Sequence, residues 1–202
     1  MKLRHAPASP FVRKVMVAAH ELGLVQRIEL VPTTVTPVQA NDELAAENPL
    51  MKVPSLVTDD GQALFDSPVI CEYLDSLTGG GKLFPAAGAA RWTALRQQAL
   101  GDGILDALIL CRYEIAARPE DKRHAGWTDG QMKKAHQGLA AAEREDLSGP
   151  RTIGPITIGC MLGYLDFRFP GDGWRDRHSR LAAWHETVEK LPSMQATKPP
   201  AG

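Results

Sequence analysis

Two stretches, PASPFVRKV at residues 7–15 and DSPVI at 66–70, each set a serine directly before a proline and an apolar stripe. Serine is a strong helix N-cap, and proline fits the first helical position, where a missing N–H loses no intrahelical bond. A helix N-terminus also presents unpaired N–H donors and partial positive charge, which suits an anion. Ser9 and Ser67 therefore have two readings, as plain caps or as two helix ends facing one ligand. The second start carries an acid, Asp66, immediately before its serine. A capping box at the first would want Glu or Gln at position 12, and Val12 stands there, so no reciprocal partner commits the Ser9 hydroxyl.

Other reactive types say less. Cys71, Cys111 and Cys160 are widely spaced in apolar helical contexts with no C-x-x-C, so they read as small core hydrophobes in a reducing compartment. His5 ends a strand-like segment and titrates near neutrality, so it is either a base near Ser9 or a packed strand-end side chain. The other five histidines have no ligand-like companions in the sequence, and no metal site is expected. The 23 basic and 24 acidic side chains nearly cancel without any block of like charge, which argues against nucleic acid or a membrane as the main partner. No apolar run approaches the roughly 18 residues of a membrane span, and no signal-peptide pattern occurs, so the expected location is the cytoplasm.

These residues need elements to hold them. With 44% hydrophobic residues in 202, the chain can bury the core of one large domain or two small ones. The glycine run in LTGGGKLFPAAGAA, residues 77–90, divides it into a part of net charge −4 and a part of +3, with Leu83 and Phe84 as a hydrophobic anchor. The first part reads as a strand at 2–5, a helix from Pro10 to Leu22 closed by Gly23, and a strand in RIELVPT. A short helix near Glu43–Glu47, a hairpin about Asp60-Gly61 and a helix capped by Ser67 complete β-α-β-α-β-β-α. Beyond the linker only helical periods occur, over 90–117, 129–146, 155–168 and 178–191.

SPFVRKV, NPLMKVPSLVTDDG, DSPVICEYLD, DGILDA and GCMLGYLDFR, in this order and spacing, resemble the bacterial cytosolic glutathione transferases over nearly the whole chain. The resemblance implies an α/β plus all-α fold: a thioredoxin-like glutathione-binding domain over 1–80, a linker at 81–88 and an all-helical domain over 89–202. It implies an enzyme in which Ser9 favours the glutathione thiolate, with Phe11, Lys52, Val53, Pro54, Asp66 and Ser67 binding the peptide. Pro54 matches the family's cis-proline, which turns the Val53 backbone toward the cysteinyl residue. Lys52 then faces the glycyl carboxylate, Asp66 the ammonium and Ser67 the α-carboxylate.

Ile109, Arg112, Tyr113 and Tyr164 are the candidates for a second-substrate pocket. Arg112 would otherwise be satisfied by an ion pair with Asp106 or Asp166. The resemblance further implies glutathione as co-substrate with no further cofactor, a small apolar electrophile as second substrate, and a homodimer. A glutathione-dependent peroxidase and a non-catalytic glutathione-binding or interaction protein remain open on the same resemblance. The chain departs from the family at His5-Ala6, where Tyr-Ser is common. It departs again at PRTIGPITIGC, where Pro155 replaces the acid of a capping box begun by Thr152 and Arg151 replaces an apolar staple.

Overall fold

A computed structural model describes residues 1–200, and the chain forms two compact units, Met1–Arg91 together with the segment from Pro192 onward, and Trp92–Leu191. The first unit runs through β1 (Lys2–His5), α1 (Pro10–Glu21), β2 (Glu29–Pro32) and the single-turn α2 (Asp42–Ala45). It continues with β3 (Ser55–Val57), β4 (Ala63–Leu64) and α3 (Ser67–Ser76), the expected thioredoxin-like succession. The strands form one sheet in the order β2-β1-β3-β4. Only the β1–β2 pair is parallel, and a parallel pair needs a crossover, which α1 supplies. Leu3 of β1 and Leu56 of β3 stand opposite each other and are fully buried. Val12, Val15 and Ala19 of α1 and Ile70 and Leu74 of α3 bury the apolar faces on which these two helices pack. Arg4 fastens α2 to β1 through a forked contact to Glu47 (2.7 and 3.1 Å) and an ion pair to Glu43 (2.7 Å).

The glycine run turns the chain sharply. Gly79, Gly80 and Gly81 all adopt positive φ, a succession that side chains rarely tolerate. The turn delivers the N–H groups of Gly81, Leu83 and Phe84 to the buried carboxylate of Asp75 in α3 at 3.0–3.1 Å, and Leu83 and Phe84 bury beside it.

The second unit contains most of α4 (Gly88–Ala117), with α5 (Ala125–Ala142), α6 (Ile153–Arg168), α7 (Trp174–Arg177) and α8 (Ser179–Val188). Helix α6 is buried continuously from Ile153 to Leu165, as an all-round apolar helix must be. Small residues let its neighbours approach: a Cβ on Gly154 would come within 2.6 Å of the Gln97 Cβ, and one on Gly101 within 2.8 Å of the Thr157 methyl. Thr152 occupies the N-cap of α6 but makes no side-chain cap bond, and Pro155 sits inside the first turn, where its missing N–H has no intrahelical partner. No helix is long and apolar enough to cross a membrane among the described residues.

The bounds of α5 differ from the expected 129–146 by about one turn at each end. Helix α5 begins at Ala125 rather than 129, because the imidazole Nδ1 of His124 accepts the N–H of Trp127 as a cap. It ends at Ala142, and Glu143 turns its carboxylate to the N–H groups of Arg180 and Leu181, capping α8 (3.1 and 2.8 Å). The last helix, α9 (Pro192–Ala196), belongs with the first unit. It packs on α1, with Arg13 donating to the Met194 carbonyl (3.2 Å) and Ser193 to Glu21 (2.7 Å).

Candidate functional site

Strand directions bring three segments to one end of the sheet. β1 runs toward that end and continues into Ser9. β3 starts there, with Ser55 opposite Arg4, so Val53 and Pro54 enter beside the exit of β1. β4, antiparallel to β3, leaves at the same end into Asp66 and Ser67.

Ser9 is the N-cap of α1. Its backbone is extended, its carbonyl accepts the Arg13 N–H (3.0 Å), and its Oγ accepts the Val12 N–H (3.3 Å). An oxygen that accepts in this way still carries its own proton to donate. Of the next residues, Pro10 brings no N–H, and the Phe11 N–H has no intrahelical acceptor. Phe11 is half-buried, with the ammonium of the fully buried Lys14 5.7 Å from its ring centroid. His5, half-buried at the end of β1, has its pKa pushed below the ordinary value by burial, so its imidazole is neutral at pH 7.

The second segment is shaped by a residue the sequence reading passed over. Asn48, 1% exposed, donates through Nδ2 to the Lys52 carbonyl (2.9 Å) and accepts from the Leu50 N–H (3.0 Å). Met51 between them adopts φ 51°, a left-handed conformation unusual outside glycine. This fixed loop leads through exposed Lys52 and half-buried Val53 into Pro54, and the Val53–Pro54 peptide is cis. The asparagine-proline step was the readable signal, because Asn side chains commonly organise such turns.

In the third segment the cap is Asp66, not Ser67. The Asp66 carbonyl accepts the Ile70 N–H (3.0 Å), which starts the helix one residue earlier and makes Ser67 its first residue. The Asp66 carboxylate makes no cap bond and stands exposed, and Ser67 is 1% exposed. The Phe65–Asp66 peptide is also cis.

The remaining candidates all lie in the Trp92–Leu191 unit. Ile109, Arg112 and Tyr113 are half-buried on α4, and Tyr164 is buried on α6. Burial pushes the Tyr164 phenol up to about 12, against the opposing charges of Arg168 and Arg112. Arg112 forms no ion pair among the described residues, and Asp166 is engaged elsewhere. It accepts from Trp174 Nε1 (2.8 Å) and from Arg175 (2.6 Å).

That engagement corrects the expectation that the other histidines lack ligand-like companions. His185, fully buried, donates through Nε2 to the Gly159 carbonyl (3.3 Å), which leaves Nδ1 to accept from Arg175 (3.2 Å). Asp166, His185 and Glu189 place ligand atoms within 4.8 Å of one another, a set that could hold a metal ion. The guanidinium of Arg175 already supplies the positive charge there, 2.6 Å from Asp166 and 3.8 Å from Glu189. Burial holds the His185 pKa below its ordinary value. His136 likewise pairs with Asp172 at 2.7 Å.

Comparison with known proteins matches this build. The family described as glutathione S-transferase, N-terminal domain, matches residues 8–77, and glutathione S-transferase, C-terminal domain, matches 125–187. The uncharacterized GST-like protein YibF of Escherichia coli (strain K12) is 32% identical, with 99% of each chain covered. A glutathione transferase family member from Pseudomonas fluorescens Pf-5, solved with bound glutathione, is 46% identical with a TM-score of 0.96 over 98% of each chain. A second structure from that organism holds S-(propanoic acid)-glutathione, with 46% identity and a TM-score of 0.91 over 99% of this chain and 100% of that one. A sheet end that gathers Ser9, Val53-Pro54 and Asp66-Ser67, followed by a helical unit and matched along its length by these relatives, has one consistent origin: the chain belongs to the glutathione S-transferase family.

Proposed function

We propose that the protein is a glutathione transferase that holds glutathione at this end of the sheet and joins its sulfur to a small electrophile. The observation that carries the reading is the Ser9 hydroxyl, whose oxygen accepts the Val12 N–H and whose proton is left for a second acceptor. That acceptor is the glutathione sulfur. A free thiol has a pKa of ~8.5, and a donated hydrogen bond together with the α1 N-terminus lowers it by about one to two units. The thiol proton leaves to solvent or to the neutral imidazole of His5. The thiolate then forms a C–S bond at the electrophilic carbon, and a leaving group departs with its electron pair or, in an addition, the adjacent carbon takes a proton from water.

The rest of the site holds the peptide. The Val53 backbone, set by Pro54, pairs with the cysteinyl residue, and Lys52 faces the glycyl carboxylate. Asp66 takes the ammonium, Ser67 takes the α-carboxylate at the head of α3, and Phe11 flanks the sulfur end. The glutathione and S-(propanoic acid)-glutathione held by the two Pseudomonas structures support this reading. We place the protein in the cytoplasm as a homodimer, as the family resemblance implies.

The test is heat denaturation with glutathione and with cysteinylglycine, which lacks the γ-glutamyl end, alongside turnover of an activated aryl halide. Glutathione at ~100 Kd stabilises the folded state by about 2.7 kcal/mol, and cysteinylglycine at the same concentration does not. Equal shifts refute the Asp66 and Ser67 roles, and binding without turnover refutes the enzyme.

A further inference from the structure

The end of the sheet carries a titratable side chain that holding the glutathione peptide does not use. His5 is the last residue of β1, and its carbonyl accepts the Thr33 N–H (2.8 Å), which fixes its backbone against the chain leaving β2. Side chains alternate along a strand, and Arg4 is turned to Glu43 and Glu47 of α2, so His5 shares the opposite face with fully buried Leu3. Leu56 of β3 pairs with Leu3 there, α3 packs on β3, and α1 packs on α3. A single tight turn then leads from His5 to the head of α1. The Ser9 N–H closes on the Ala6 carbonyl (2.9 Å), which brings the cap serine back beside the strand end.

The imidazole itself is unengaged. Half-buried, it forms no hydrogen bond or ion pair among the described residues. The β2 residues across from Arg4 and His5, Val31 and Pro32, are uncharged, and the first turns of α1 and α3 carry no acid. Asp66, the cap of α3, stands exposed and takes the ammonium in the reading above. Burial alone lowers the His5 pKa, so the ring is neutral before a ligand arrives and offers a nitrogen lone pair. A neutral imidazole on the same face as the hydroxyl that receives the sulfur has the chemistry of a proton acceptor.

We propose that His5 is the general base of the reaction and takes the proton of the bound glutathione thiol. This rests on the glutathione transferase reading and deepens it by naming one destination for that proton. The S–H bond breaks, its electron pair stays on sulfur as the thiolate to which Ser9 donates, and the proton forms an N–H bond on His5. The result is an imidazolium beside the anion, a neutral pair that a half-buried site holds better than a lone thiolate. After the C–S bond forms, the imidazolium gives the proton to the adjacent carbon in an addition. In a substitution it gives the proton to solvent as the leaving group departs with its electron pair.

The experiment counts protons. Glutathione is titrated calorimetrically into the protein at pH 7.5 in phosphate and in Tris, buffers of different ionisation enthalpy, and the ultraviolet absorbance of the thiolate is read on the same samples. With solvent as acceptor, about one proton reaches the buffer for each thiolate formed, and with His5 as acceptor almost none does. The parent therefore releases less than about half a proton per thiolate, and His5→Gln about one. His5→Tyr follows His5→Gln, because a phenol takes up no proton at this pH. A histidine that only packs the strand end changes stability or affinity and leaves this count alone. If His5→Gln loses glutathione, His5→Tyr supplies the comparison, and if both lose it the parent's own count decides. A parent that forms the thiolate and releases more than about half a proton overturns the base and leaves the Ser9 role standing. A low count that persists in the variants overturns the assignment to His5. A parent that binds no glutathione, or binds it without forming the thiolate, overturns this proposal and the reading beneath it.

Discussion

At Ser9 the hydroxyl oxygen takes the Val12 N–H while its proton stays available, so a single side chain closes a helix and serves a ligand. The two duties separate by substitution. Ser9→Ala loses the cap at about 1 kcal/mol of stability, and Ser9→Asn recovers most of that loss, as urea denaturation of the variants will show. Asn48 acts through the loop it braces. Asn48→Ala leaves the Lys52 carbonyl and the Leu50 N–H without their side-chain partner. It should cost about 1–3 kcal/mol and weaken glutathione binding, whereas a residue with no bearing on the Val53 backbone would lower stability alone. Ser9 was legible because a cap is a local signal of serine before proline. For Asn48 only the Asn-Pro turn signal was local, and its bracing of the loop was not legible, because that depends on where the chain lies four residues later. The α3 cap, read at Ser67, lies one residue earlier at Asp66, because Ser-Pro and Asp-Ser are equally good helix starts in sequence and only the Asp66 carbonyl bond to Ile70 decides between them.

Elements with a strong apolar stripe, such as α1 and α3, were readable from their period, and α6 from its nearly continuous apolar run. Boundaries set by distant partners were not. The start of α5 depends on a histidine acting as a cap, and its end on a carboxylate given to α8. Nor does the sequence show how closely α4 and α6 approach, which the glycines reveal. Gly154→Val forces a side chain against Gln97 and the Ala94 carbonyl and should destabilise by roughly 2–4 kcal/mol. Gly130→Ala, in α5 with open space around it, should be neutral or stabilising by up to about 1 kcal/mol. Urea titration of both variants checks the pair, and equal losses would contradict the packing described for α6.

Across the whole molecule, the succession of sheet and helices was legible. The return of α9 to α1 was not, since five residues after Leu191 carry no signal for a contact made near residue 13. Global stability should depend on pH through His185. Burial lowers its folded-state pKa, with Glu189 and Asp166 opposing and Arg175 assisting, so as pH falls the unfolded chain takes the proton first. Stability from this group is complete above the unfolded value of about 6.5 and is lost below it. The melting temperature should therefore fall between pH 7 and pH 5 more steeply in the parent than in His185→Gln, and parallel slopes would remove His185 from the account. The most direct measurement of the central claim is the ultraviolet absorbance of the thiolate of bound glutathione as a function of pH, in the parent and in Ser9→Ala. The account predicts a bound thiol pKa about one to two units below ~8.5 in the parent, rising toward the free value in the variant, with turnover falling by about 10²-fold, as when one oxyanion donor is lost. A bound thiol that titrates like free glutathione in the parent, or identically in both proteins, would contradict it.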